Sequence, residues 1–226
     1  MYGFQDPAST IQSGIVDLHH NLFSCLLFIF FFVSFCLLRI LLVNKYIKAN
    51  KNKSQIRGQR KTLLFSKIIH GSTLEIVWTI IPSIILFIIA VPSFSLLYSM
   101  EEIRDAELVI KAIGNQWYWS YEYGMINLGW DSYLLTTNDL TKGMLRLLSV
   151  DHPLIIPSEV QTKLIVTSTD VLHAFGVPSL GIKTDAVPGR LNQLNFLIKR
   201  SGMFFGSCYE LCGAGHGYMP IQIVAL

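Results

Sequence analysis

The chain has 226 residues, 51% of them hydrophobic and 15% charged, with a mean hydropathy of +0.46, too apolar for an ordinary soluble domain of this size. Fourteen Phe and nine Tyr exclude a disordered or collagen-like chain, and four Cys are too few for a disulfide scaffold. The net charge of +3 is segregated: residues 1–21 carry Asp6 and Asp17 but no cation, residues 44–73 carry eight cations and no acid, and the part from residue 98 onward carries nine basic against twelve acidic residues.

In chain order, the first element is the 22-residue apolar run 22–43, about 33 Å long as a helix and enough for a hydrocarbon core of about 30 Å. Arg39 lies near its basic end, where a long side chain snorkels to the headgroups. Cys25 and Cys36 inside the run read as small hydrophobes. Next comes the basic loop, with Lys45, Lys48, Lys51, Lys53, Arg57, Arg60, Lys61 and Lys67. Residues 74–98 form a second run of spanning length, interrupted by Pro82 and Pro92, which membrane helices tolerate. The positive-inside rule puts the basic loop on the matrix or cytoplasmic side and both termini on the other. The partner expected is a lipid bilayer, not nucleic acid. The N-terminus has neither a secretory-signal pattern nor an Arg-rich transit pattern, so the first span is expected to direct insertion.

Beyond Met100 the patterning changes to short β-like runs at 108–113, 117–123, 145–150, 163–168, 194–198, 203–207 and 221–224, separated by turn residues. The fold class expected is an α+β membrane protein: an N-terminal segment and a two-helix transmembrane hairpin over 1–98, then an all-β sandwich or barrel over 99–226.

The segment Cys208-Tyr-Glu210-Leu-Cys212-Gly-Ala-Gly-His216-Gly-Tyr-Met219 gathers two thiols, an imidazole and a thioether within twelve residues. Soft donors of this kind favour copper. Gly213, Gly215 and Gly217 let the backbone wrap tightly around an ion. His173 is the natural remote ligand, because so short a loop covers a metal from one side. A zinc site of two Cys and two His is the chemical rival, and Met219 argues against it.

These residues carry a family resemblance. The chain resembles subunit II of the haem-copper cytochrome c oxidases, of the mitochondrial type, on Gly3-Phe-Gln-Asp6, Glu75-Ile-Val-Trp78-Thr-Ile-Ile-Pro82, Gln116-Trp117-Tyr-Trp119-Ser-Tyr-Glu-Tyr123, Asp170-Val-Leu-His173, Lys183-Thr-Asp185-Ala-Val-Pro-Gly-Arg190-Leu-Asn-Gln193 and the cysteine loop. The resemblance implies a cupredoxin-like Greek-key domain holding CuA, a dinuclear copper centre. Cys208 and Cys212 would bridge the metals; His173, His216, Met219 and the Glu210 carbonyl would complete the two spheres. The Glu210 side chain would ligate a magnesium ion shared with subunit I.

The resemblance further makes Trp117 the port for electrons from cytochrome c and Glu75 the entrance of a proton path into subunit I. Asp185 and Arg190 would belong to a polar interface with subunit I. The location implied is the mitochondrial inner membrane, with the copper domain in the intermembrane space; a bacterial plasma membrane is the alternative. The net acidity of the outer part has the right sign to steer a basic cytochrome c, with Glu122, Asp131, Asp139 and Asp151 as docking acids. Two departures stand out: residues 124–129 lack the acids common in relatives, and Asn115 replaces a His.

Overall fold

The structure is a computed structural model that describes residues 3–49, 70–102, 105–124, 126 and 128–226. Residues 50–69, which hold most of the basic loop read from the sequence, lie outside the described residues, as do Met125 and Asn127 of the acid-poor segment.

The apolar runs form helices α1 (Thr10–Ala49) and α2 (Ser72–Glu101). Both are long and apolar enough to cross a membrane, and their most apolar stretches are not buried at all. Phe28, Phe31 and Phe35 on α1 and Leu86, Phe87 and Val91 on α2 are exposed. The core helix of a soluble protein would cover such side chains, whereas a helix apolar all round suits hydrocarbon. Pro82 and Pro92 sit inside the continuous α2. Hydroxyls there bond back to the helix, Thr79 Oγ1 to the Glu75 carbonyl and Ser83 Oγ to the Thr79 carbonyl, each at 2.8 Å.

The chain divides into two compact units, Leu18–Ser93 and a β-rich unit made of Met1–Asp17 with Phe94–Leu226. In the second unit the described strands are β1 (Leu108–Asn115), β2 (Tyr118–Tyr123), β3 (Leu128–Ser132), β4 (Leu154–Ile156), β5 (Gln161–Ser168), β6 (His173–Val177), β7 (Ile182–Ala186), β8 (Asn192–Leu197), β9 (Gly202–Cys208) and β10 (Pro220–Ala225). They form two five-stranded sheets, ordered β3-β2-β1-β5-β8 and β4-β10-β9-β6-β7. β1 pairs parallel with β5 and β10 parallel with β4, and the other pairs are antiparallel. Trp119, Tyr121, Ile110, Leu164, Phe175 and Ile223 belong to the buried core. Each fully buried large apolar side chain contributes about 1.5–3 kcal/mol.

The N-terminal segment, grouped with the hairpin in the sequence reading, is hydrogen-bonded to the sandwich. The Ala8 N–H donates to the Ser179 carbonyl at 2.9 Å, and the Ala8 carbonyl accepts from the Lys199 N–H at 2.8 Å. Ser9 then caps α1, its hydroxyl accepting the Gln12 N–H at 3.0 Å while donating to the Leu180 carbonyl at 2.5 Å.

One expected strand is absent: 145–150 is a turn ending in an isolated bridge from Val150 to Leu134. The Leu145 N–H is captured by the Ser149 hydroxyl at 3.0 Å, the Ser149 N–H returns to the Leu145 carbonyl at 3.0 Å, and Leu147 has φ +66°. Local hydrogen bonds of this kind outcompete a strand.

Candidate metal centre

Three elements build the centre. His173 opens β6, Cys208 closes β9, and the segment after Cys208 passes through Cys212 and the short 3-10 turn His216–Tyr218 to Met219 before β10. His173, Cys208, Cys212 and Met219 are buried. The ligand atoms of His173, Cys208 and Cys212 all lie within 4.8 Å of one another.

The two sulfurs are 4.0 Å apart and both cysteines are free thiols. Cys208 Sγ is 3.9 Å from His173 Nδ1 and 3.2 Å from the Glu210 carbonyl. Cys212 Sγ is 3.5 Å from His216 Nδ1 and 3.5 Å from Met219 Sδ. The structure therefore brings together all six donors that the sequence singled out. Two thiols with four further donors around them suit a pair of soft ions, whereas a single tetrahedral zinc would leave the buried Met219 sulfur without a purpose. The donor set fits copper.

Burial opposes ionisation of Cys208, but the contact with His173 and the N–H groups around it hold its thiol at about 7. Burial and the neighbouring Cys208 push Cys212 up to about 12. One thiolate therefore forms readily and the second needs a cation to displace its proton. His173 is raised despite its burial, because Cys208 and Asp170 both favour the imidazolium. Asp170 is lowered despite some burial, chiefly by its hydrogen bond with His173.

Trp117 does not begin β2. It lies in the turn between β1 and β2, 38% exposed as a residue. Its indole N–H donates to the Cys212 carbonyl at 3.2 Å. The ring lies against Gly215, where a Cβ would come within 2.4 Å of it, and Gly213 holds φ +116°. Two of the three loop glycines are thus required by close approach or backbone conformation, while Gly217 faces open space. Trp119, two residues on, is fully buried, with its ring edge-on to His173 at 6.1 Å between centroids.

The Glu210 side chain is exposed, and Glu75 occupies the first turn of α2, exposed. Asp185 and Arg190 are exposed and line a concave surface with Lys183, Asn192 and Gln193. Two site residues received no role from the sequence: Asp170, whose Oδ1 is 2.8 Å from His173 Nε2, and Gln116, whose side-chain amide donates to the Cys212 carbonyl at 2.9 Å. The three-residue step from Asp170 to His173 was the available signal.

Comparison with known proteins agrees with this geometry. Residues 108–226 match the family model described as cytochrome c oxidase subunit II, periplasmic domain, and residues 1–96 match the corresponding transmembrane domain. The chain is 48% identical over 231 residues to cytochrome c oxidase subunit 2 of Arabidopsis thaliana, covering 99% of this chain and 84% of that protein. It is 48% identical to the mitochondrial cytochrome c oxidase subunit 2 of Glycine max, covering 99% of this chain and 55% of that one. Among solved structures it is similar to the periplasmic domain of subunit II of cytochrome oxidase of Bradyrhizobium japonicum, with a TM-score of 0.52 and 43% identity over 55% of this chain and 88% of that one. The chain belongs to the cytochrome c oxidase subunit II family.

Proposed function

We propose that this chain, as a member of the cytochrome c oxidase subunit II family, is an electron relay. It takes single electrons from reduced cytochrome c at the exposed edge of Trp117 and delivers them to the haem of subunit I, where oxygen is reduced to water and protons are pumped. The observation that carries this reading is the buried His173, Cys208 and Cys212 cluster, one hydrogen bond away from the exposed indole of Trp117.

Cys208, Cys212, His173, His216, Met219 and the Glu210 carbonyl would hold a pair of coppers. Bound copper supplies one-electron redox chemistry, with the charge change spread over two metals. The protein keeps that site dry: the thiols, the thioether and His173 are buried, and Trp119 and Phe175 pack against one another beside them. Rigid, dehydrated surroundings leave little to reorganise when charge changes.

The exposed Glu210 carboxylate is the hard oxygen donor available to a magnesium ion shared with subunit I. The concave surface at Lys183, Asp185 and Arg190 supplies the polar contacts with that subunit. Glu75, in the first turn of α2 where the helix dipole favours an anion, marks the entrance of a proton path on the matrix side.

The protein resides in the mitochondrial inner membrane with its β-sandwich in the intermembrane space, as its similarity to plant mitochondrial relatives suggests. The backbone bonds of Ala8 to Ser179 and Lys199 support the hairpin topology: the stretch before α1 and the sandwich after α2 share one side of the bilayer. The eight cations of the basic loop favour the other.

Copper content and electron paramagnetic resonance of the purified oxidase complex test the reading, with Cys212→Ser as reference. The native complex is expected to hold two coppers per chain that the variant lacks, with one unpaired electron shared over both nuclei. A single copper with a localised signal, or zinc, would turn the function toward metal carriage.

A further inference from the structure

We propose that Asp170 is a positioning residue for electron transfer: one carboxylate oxygen orients the His173 ring, and the other ties the turn carrying Trp117 to the same point. The proposal rests on the copper-centre reading above. Asp170 Oδ1 is 2.8 Å from His173 Nε2 and accepts the Val171 N–H at 2.6 Å, while the Ser168 hydroxyl 3.3 Å away donates to the Val171 carbonyl at 2.5 Å. Asp170 Oδ2 accepts the backbone N–H of Gln116 at 2.7 Å.

An ionised carboxylate only accepts, so His173 presents an N–H at Nε2 and keeps the lone pair of Nδ1 for the side facing Cys208. A metal-binding imidazole needs this arrangement, and a partner on its far nitrogen fixes both tautomer and ring orientation. The second oxygen acts on a different segment. Gln116 precedes Trp117, and both of their side chains donate to the Cys212 carbonyl, at 2.9 and 3.2 Å. The turn after β1, the segment before β6 and the cysteine loop are far apart in sequence. They meet on one carboxylate and one carbonyl, so that port and ligand cage move as one piece.

A role for Asp170 as a docking acid explains less. Its three N–H contacts, two at Oδ1 and one at Oδ2, all come from this chain's own groups, with the side chain 31% exposed. Positioning and docking also predict different behaviour of variants.

In Asp170→Asn only one oxygen remains. With that oxygen at the Oδ1 place, the Val171 and His173 bonds survive and the amide opposes the Gln116 N–H. That orientation keeps two of the three N–H contacts, whereas the reverse keeps one. The asparagine variant is therefore expected to retain copper, its resonance spectrum and its potential, yet to lose electron uptake about 10-fold at saturating cytochrome c, the lower end of the usual outer-shell effect. Asp170→Ala loses both ties and is expected to change the spectrum and potential as well, with copper bound about 10- to 100-fold more weakly.

The experiment uses the intact oxidase complex: copper content, resonance spectrum, redox titration, and electron uptake as a function of cytochrome c concentration. A raised KM with an unchanged saturating rate in both variants would show lost docking charge and overturn the proposal. So would a wild-type spectrum and potential in Asp170→Ala. Should the native complex itself lack the signal of a copper pair, the underlying reading fails before any variant is compared.

Discussion

Trp117 owes its position to what lies beneath it. The bond from its indole N–H to the Cys212 carbonyl and the bare face of Gly215 bring a large π system against the ligand loop while leaving its edge in solvent. Trp117→Ala is expected to slow electron uptake from cytochrome c several-fold with copper content unchanged, measured by rapid mixing; unaltered kinetics would remove the port from Trp117. Tyr121 offers the opposite case. Its hydroxyl is buried without a hydrogen-bond partner among the described residues, and burial raises its pKa far above the usual phenol range. Tyr121→Phe is expected to stabilise the protein by about 1 kcal/mol in denaturant unfolding. The cysteines make metal uptake pH-dependent. Binding must displace the Cys212 proton, which is held up to about 12, so copper affinity of the metal-free protein rises with pH and continues to rise above neutrality. Competition titrations at several pH values check this, and a flat profile contradicts it. The donors of the cysteine loop were legible because their spacing is local. The link from Asp170 to the turn carrying Trp117 was not, because its partner Gln116 lies 54 residues away.

Elements with a clean period were legible as well. Burial along β5 alternates from one residue to the next, as its sequence suggests, and the two apolar runs became helices longer than the spans they contain. The strands that escaped notice lack such a signal. All five residues of β6 are buried, which erases alternation, and β4 has only three residues. Conversely, 145–150 has strand-like residues but a serine placed to close a turn. The start of α1 was also hidden, because Ser9 precedes the apolar run by more than a dozen residues. Ser9 serves two elements at once, capping the helix and bonding to Leu180. Ser9→Ala is expected to cost about 1 kcal/mol from the lost cap. The loss should appear as faster hydrogen exchange in the first turn of α1, with the rest of the helix unaffected.

At the scale of the whole molecule, the proposed roles fall in different units: the candidate metal ligands lie in the sandwich, while Glu75 lies in α2. Glu75→Gln is accordingly expected to slow turnover of the oxidase several-fold while leaving copper reduction by cytochrome c at its native rate. Normal turnover would take the proton role from Glu75. The bond from Ser9 to Leu180 spans 171 positions of the chain, and contacts of such separation form late because the loop between them must first close. In the proposed topology that loop includes both membrane helices. The sandwich strands can pair as they emerge, but in that topology the seam that Ala8 and Ser9 make with them closes only once the residues ahead of α1 have crossed the bilayer as well. Completion of the fold thus reports that both ends of the hairpin have been delivered, and a chain inserted with its first span reversed would be left with an open seam at Ser179 and Lys199.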